Sequence, residues 1–277
     1  MLPWTPKAVD DNCCTAGNPT NCMHTNDNGH YAATVAAIAE RDYEAAGDAS
    51  SRAGWSVLAD PRDDHETFDT DDRGTIGDGL RHLLTAALCY RVAGLSARAT
   101  RRATGGIAVA GDLGATMATP VQAACFDEFV ADFRVAGGLD GAADAYTATA
   151  EAYRTAADET TDPQTVGATP LFLAAAAPAK QLARTLDNGE IAIEWEDLHG
   201  DDPADPGAFL AARAEFKRQR FPSLVDGCVA EGVLAAPRGT TEYATDHHRC
   251  PACGSRDVNW IADSTLCLRC SRPTDPQ

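Results

Sequence analysis

The chain has 277 residues and a formal net charge of −18, from 29 Asp and 12 Glu against 20 Arg and only 3 Lys. That length accommodates one large domain, or two smaller ones, beside a small module. The acidity offers a nucleic acid or an acidic substrate no global attraction, and no run of eighteen apolar residues is present to span a membrane as a helix.

The opening Met-Leu-Pro-Trp-Thr-Pro-Lys carries no apolar stretch of the secretory type, so a cytoplasmic location is expected. In that compartment the ten cysteines are expected to be metal ligands and buried thiols rather than disulfides. Residues 1–29 read as an irregular arm, punctuated by Pro3, Pro6, Gly17, Pro19 and Gly29. Cys13, Cys14, Cys22, His24 and His30 crowd into this arm, and the first four form a candidate second metal site. Adjacent cysteines make poor geometry for two bonds to one ion, so docking of the arm onto the first helix stands beside the metal reading.

From His30 the periodicity is helical, with Val35, Ile38 and Ala39 at i, i+3 and i+4. A second helix is expected over 42–59, burying Tyr43, Ala46, Ala49, Ala53, Trp55 and Leu58. The acidic, turn-rich stretch 60–78 reads as a loop. Helices are expected again at about 79–110, 121–137, 139–158, 169–187 and 206–221, the later ones separated by Pro163, Gly167, Pro203 and Pro206. The expected organisation is therefore an arm over 1–29, a helical body over 30–240 and a separate module over 247–277.

Tyr90-Arg-Val-Ala-Gly94 recurs forty-three residues later as Phe133-Arg-Val-Ala-Gly137. Each copy ends one helix, makes a glycine turn and precedes an alanine-rich helix. Such a helix pair cannot bury its face alone and must stack on a neighbour. In this respect the chain resembles tetratricopeptide-like repeats. The turn and first alanine of that family's pattern match Asp42-Tyr43-Glu44-Ala45-Ala46, with Ala53 as the second alanine. Ala87, Tyr90, Gly94 and Ala99 fit a second unit, and Ala131, Gly138, Ala143 and Ala150 a third. The resemblance covers about residues 30–158, with 169–235 as a weaker further unit, at a spacing of forty-odd residues rather than the family's thirty-four. It implies a mostly α, antiparallel helix-pair solenoid that binds protein partners in a groove. An alanine-rich bundle without repeat geometry is the competing expectation.

The C-terminal module is defined by Cys250-Pro-Ala-Cys253-Gly and Cys267-Leu-Arg-Cys270, two C-x2-C turns thirteen residues apart. Two residues between cysteines let both thiolates of a turn point at one ion, and two such turns complete a tetrahedron of the kind Zn2+ takes in closed structural sites. Val258, Trp260, Ile261, Leu266 and Leu268 are expected to form two short strands against the metal. The pattern resembles a zinc ribbon. Residues 247–277 carry four Arg and three Asp, so the module is nearly neutral and lacks the basic face of a nucleic-acid reader.

Other groupings are weaker. His247-His248 reads as a linker or as an adjunct to the metal. Cys89, Cys125 and Cys228 read as small core residues. Arg98, Arg101 and Arg102 share a helix face, as Lys217, Arg218 and Arg220 can, and internal pairing with carboxylates is the simpler expectation than phosphate or peptide capture. Glu190, Glu194, Glu196, Asp197 and His199 form a carboxylate-histidine cluster without a metalloprotease spacing. Acid-rich, lysine-poor composition is similar to that of proteins from salt-loving archaea, which stay hydrated in molar salt through dense carboxylates. The expectation is a halophilic, cytoplasmic, non-enzymatic scaffold that binds other proteins. A nucleic-acid-associated or transcription-related regulator using the ribbon, and a metal-dependent enzyme using the N-terminal Cys/His cluster, stay open beside it.

Overall fold

A computed structural model describes residues 29–59, 73–116, 119–156 and 160–277. It is mostly helical, with a small antiparallel sheet at the C-terminal end. The helices are α1 (His30–Glu40), α2 (Tyr43–Ala59), α3 (Arg73–Val92), α4 (Ser96–Thr116), α5 (Pro120–Gly137), α6 (Ala142–Ala156), α7 (Pro163–Gly167), α8 (Pro170–Leu186) and α9 (Pro206–Glu231). Among the described residues no helix is long and apolar enough to cross a membrane.

The first six long helices pack in chain order, each on the next. Turns of two, three and four residues join α1 to α2, α3 to α4 and α5 to α6, which forces antiparallel hairpins. All three turns use one device. A residue in the left-handed region follows the first helix: Arg41 (φ 66°), Gly94 (φ 75°) and Gly138 (φ 64°). The next residue's N–H then reaches back to a carbonyl five positions earlier, as in Asp42 to Ala37, Leu95 to Tyr90 and Leu139 to Arg134. The recurrent pentapeptides thus mark real turns, although the second left-handed position falls on Gly138, one residue beyond the aligned Gly137.

The remaining helices fold back over this series. Helix α8 lies on α3 and α5, while α9 lies along α6 and touches α3, α5 and α8. Helices α3 and α5 are consequently surrounded, and their Leu80, Leu83, Leu84, Phe126, Phe129 and Phe133 are fully buried. Asp162-Pro163 and Asp205-Pro206 start α7 and α9: each aspartate accepts a backbone N–H in the first turn, and each proline occupies a position where no N–H is needed.

Several expectations need correction. Helix α3 begins at Arg73, inside the stretch 60–78 expected as a loop; residues 60–72 lie outside the described set. Helix α9 does not stop before Pro222 but runs on to Glu231, where Gly232 (φ 65°) caps it. One proline costs a helix a single hydrogen bond and a kink, and the buried Phe221, Leu224, Val225 and Cys228 hold the helix together across it. Trp55 is 40% exposed rather than buried, and Ala143 is exposed. The buried face of α2 is instead built on small residues, because α2 and α3 approach so closely that a Cβ on Gly47 would lie 2.5 Å from the Tyr90 ring.

Two small antiparallel sheets follow from Thr240. Strand β1 (Thr240–Glu242) pairs with β3 (Val258–Ile261), which pairs with β4 (Ser264–Cys267); β2 (His248–Arg249) pairs with β5 (Asp275–Pro276). The module is fused to the body. Ile261 and Leu266 belong to the same apolar core as the helices. The Tyr43 hydroxyl accepts the Leu234 N–H at 3.0 Å, and Arg41 Nη2 donates to the Cys270 carbonyl at 3.3 Å.

Close packing on glycine gives a paired test in α4. A Cβ on Gly106 would collide with the Phe133 ring, whereas one on Gly105 would meet nothing within 4 Å. Gly105→Ala is expected to stabilise the fold by about 0.5–1 kcal/mol in urea unfolding. Gly106→Ala is expected to lose about 1–3 kcal/mol by overpacking despite the same gain in helix propensity.

Candidate metal centre and buried charge cluster

The two cysteine knuckles share one backbone geometry. In the first, Gly254 N–H bonds the Cys250 carbonyl at 2.9 Å and Cys250 N–H bonds Ser255 O at 2.8 Å. In the second, Ser271 N–H bonds the Cys267 carbonyl at 2.9 Å and Cys267 N–H bonds Arg272 O at 2.7 Å. Gly254 (φ 75°) and Ser271 (φ 57°) both sit in the left-handed region that turns the chain back around the sulfurs. Serine accepts that strain because its buried Oγ takes the Ala236 N–H at 3.0 Å, pinning the knuckle to the body.

The Sγ atoms of Cys250, Cys253, Cys267 and Cys270 all lie within 4.8 Å of one another. Cys250–Cys270, Cys253–Cys267 and Cys253–Cys270 are separated by 3.6, 3.5 and 3.7 Å. A tetrahedral ion with metal–sulfur bonds of about 2.3 Å sets sulfur–sulfur edges of about 3.8 Å, so the four atoms fit such an ion. The hydrogen bond between Cys267 and Cys270 lowers the Cys270 thiol and raises that of Cys267, so the group holds one ready thiolate. Arg269 braces the second knuckle, pairing with Asp257 at 2.7 Å and with Glu190 from the loop after α8.

The other candidates separate. His247 and His248 stand outside the sulfur group; His248 Nδ1 lies 3.3 Å from Thr274 Oγ1. Cys13, Cys14, Cys22 and His24 lie outside the described residues. The Glu190–His199 segment does not converge: Glu190 pairs with Arg269, Asp197 accepts the Glu194 N–H, and His199 is buried against Trp195 with its Nδ1 2.9 Å from the Trp195 carbonyl. Burial lowers His199 to about 4, so it is neutral. Arg98 pairs with Glu44 at 2.7 Å and with Asp48, the internal pairing expected. Cys89, Cys125 and Cys228 are buried, and burial pushes their thiols up to about 12, 12 and 11, so none is a ready nucleophile.

The sequence reading missed a second cluster. Glu128 and Asp132, one turn apart on α5, meet Arg213 and Lys217, one turn apart on α9, and all four side chains are buried. Arg213 Nε donates to both Glu128 oxygens at 2.8 and 3.0 Å. Lys217 Nζ bridges Glu128 at 2.7 Å and Asp132 at 2.6 Å. Tyr153 and Tyr146 of α6 donate their hydroxyls to Glu128 and Asp132 at 2.8 and 2.6 Å. Spare donors on Arg213 and Lys217 go to the Phe172 and Ala175 carbonyls of α8 at 3.2 and 2.7 Å. Two negative and two positive charges thus cancel, with α5, α6, α8 and α9 all contributing. Lys217 therefore does not belong to a solvated face with Arg218 and Arg220, which are exposed. The available signal was the pairing of an acidic i, i+4 step with a basic one in a chain with only three lysines.

Burial would raise the Glu128 carboxyl, but Arg213 and Lys217 override it and hold it at about 2. Burial raises Asp132 to about 6, with Lys217 opposing and the Glu128 charge adding. The linked stabilities run in opposite directions. Glu128 lies below its unfolded value of about 4.3, so its contribution is complete above that value and is lost as pH falls through about 2. Asp132 lies above its unfolded value of about 3.9, so its contribution is complete below that value and is lost as pH rises through about 6.

Comparison with protein-family models, with curated proteins and with solved structures finds no match to this chain.

Two measurements check the sites. Metal analysis of the purified chain is expected to give one ion bound by the C-terminal cluster, lost in Cys250→Ser and Cys253→Ser; an ion that survives both substitutions would point to the N-terminal Cys/His group. In unfolding experiments Glu128→Gln is expected to cost about 3–5 kcal/mol, because it leaves buried cations uncompensated. Asp132→Asn is expected to remove the decline in stability between about pH 4 and 6 that the raised Asp132 carboxyl contributes.

Proposed function

We propose that this protein is a non-enzymatic scaffold that binds other proteins, with Zn2+ in its four-cysteine ribbon, in the cytoplasm of a salt-adapted cell. The observation that carries this reading is the closed, all-thiolate ligand set of Cys250, Cys253, Cys267 and Cys270, in a module whose Ile261 and Leu266 join the helical core. Four sulfurs complete the tetrahedron and leave no position for water or substrate, so the ion's contribution is to hold structure. Zinc is favoured by the paired C-x2-C spacing and by the sulfur–sulfur distances.

The three capped hairpins α1–α2, α3–α4 and α5–α6 support a reading as tetratricopeptide-like helix-pair units. Helices α8 and α9 cover α3, α5 and α6, so the surface offered to a partner in this proposal is the α2–α4 face. Trp55 stands there 40% exposed, with the Arg102 guanidinium 5.7 Å from its ring centre. An exposed tryptophan beside arginine is the composition of an interface anchor. The acidic, lysine-poor composition supports the salt-adapted setting.

Affinity purification from the native host at molar salt, with and without nuclease, tests the proposal. A defined protein partner is expected that survives nuclease, and Trp55→Ala is expected to weaken its binding about tenfold, the loss typical of an anchor residue. Partners that vanish on nuclease treatment would replace the scaffold reading with the nucleic-acid one.

A further inference from the structure

Where α8 meets the segment leading into the sheet, two arginines with unpaired buried nitrogens come into the same region. Arg184, in the last turn of α8, is 3% exposed. Its Nη1 and Nη2 are shut off from solvent and have no hydrogen-bond partner among the described residues. Arg238, just before β1, is part-buried; its Nη2 donates to Thr241 Oγ1 and Tyr243 Oη at 3.1 Å each, and its Nη1 is buried without a described partner. Burial, and then the Arg238 charge, lower Arg184 to about 10.

The arrangement is held from both sides. Gln181 Nε2 donates to the Ala235 carbonyl at 2.7 Å, and the Ala235 N–H bonds Thr185 Oγ1 at 2.9 Å, so the segment carrying Arg238 is fixed on the helix carrying Arg184. Neither arginine forms an ion pair among the described residues, and Glu190, in the loop just after α8, is committed to Arg269. A chain with 41 Asp and Glu has thus brought two cations together with no described carboxylate between them. Buried charges need a partner, and like charges in one low-dielectric region need one more.

We propose that Arg184 and Arg238 form a binding site for a small inorganic anion, phosphate or chloride, at the junction of helical body and ribbon. The closed surroundings select an ion rather than a polymer-borne phosphate or a peptide carboxylate, and the part-buried Arg238 side chain forms the entrance. Charge-assisted hydrogen bonds from three nitrogens would then bridge α8 to the approach of β1. This site is independent of the scaffold reading above.

The test is thermal unfolding of the full, metal-loaded chain at constant ionic strength in sodium gluconate, an anion too bulky for the site, with phosphate titrated in one arm and chloride in the other. A saturable rise in Tm is expected in at least one arm, and the responding arm identifies the ion. Arg184→Met and Arg238→Met are each expected to weaken the response about tenfold or more, while exposed Arg220→Met keeps it. Arg238 is part-buried, so its variant is informative even if removal of Arg184 disturbs folding. An unchanged anion response in Arg238→Met, or no saturable response in the wild type, would overturn the proposal.

Discussion

Four buried charges decide how this protein packs. Taking Glu128, Asp132, Arg213 and Lys217 out of water costs several kcal/mol per ion, and that cost is offset only when every partner is in place. Every partner here sits on a different helix: the cations on α9, the tyrosine donors on α6, the carbonyl acceptors on α8. A shift of α9 by one turn would bring Arg213 toward Asp132 and leave Glu128 without its two-pronged partner. The apolar core supplies the driving force, but alanine-rich faces slide easily, and it is the charges that admit one register. Surface pairs such as Arg98–Glu44 and Arg154–Glu215 contribute at most about 1 kcal/mol and weaken in salt, whereas the buried four are out of reach of screening ions.

The ribbon is joined to that packing rather than appended to it. A metal at the four sulfurs would fix two knuckles of the same shape, and the second is bonded directly to the body. Gly254 turns the first by having no Cβ; Ser271 turns the second while its hydroxyl holds the segment that leaves α9. Behind the second knuckle, Gly189 lets the Leu268 carbonyl come so close that any side chain there would collide with it. Arg41 combines two tasks, closing α1 with a left-handed backbone and reaching the Cys270 carbonyl. The first described hairpin and the last knuckle are therefore in direct contact.

What the sequence disclosed and what it withheld divide along the range of the interactions. The cysteine ligands were legible because two-residue and thirteen-residue spacings are short-range geometry. The hairpin turns at Gly94 and Gly138 were legible for the same reason. Trp55 was misplaced because helical periodicity does not say that Gly47 and Gly54 would bring α2 onto α3 and leave the tryptophan on the outside. Lys217 pairs with carboxylates as expected, but which ones was illegible, because Asp132 is 85 residues away on another helix and nothing local distinguishes Lys217 from Arg218. The extension of α9 past Pro222 depends on buried residues beyond the proline, again a tertiary effect overriding a local signal. Arg184 and Arg238 escaped notice because lone arginines in an acidic chain suggest pairs, and only the packed chain brings their segments together.

The order of synthesis gives the charge cluster a further meaning. A ribosome delivers Glu128 and Asp132 long before Arg213 and Lys217, so α5 emerges with two carboxylates that have no compensating charge. Until α9 follows, that face of the helix is better left in water than buried. That face of α5 and α6 therefore disfavours a wrong apolar neighbour until the helix that carries the matching cations arrives. Closure waits for the C-terminal part of the chain, which makes the body complete only once nearly all of it has been made.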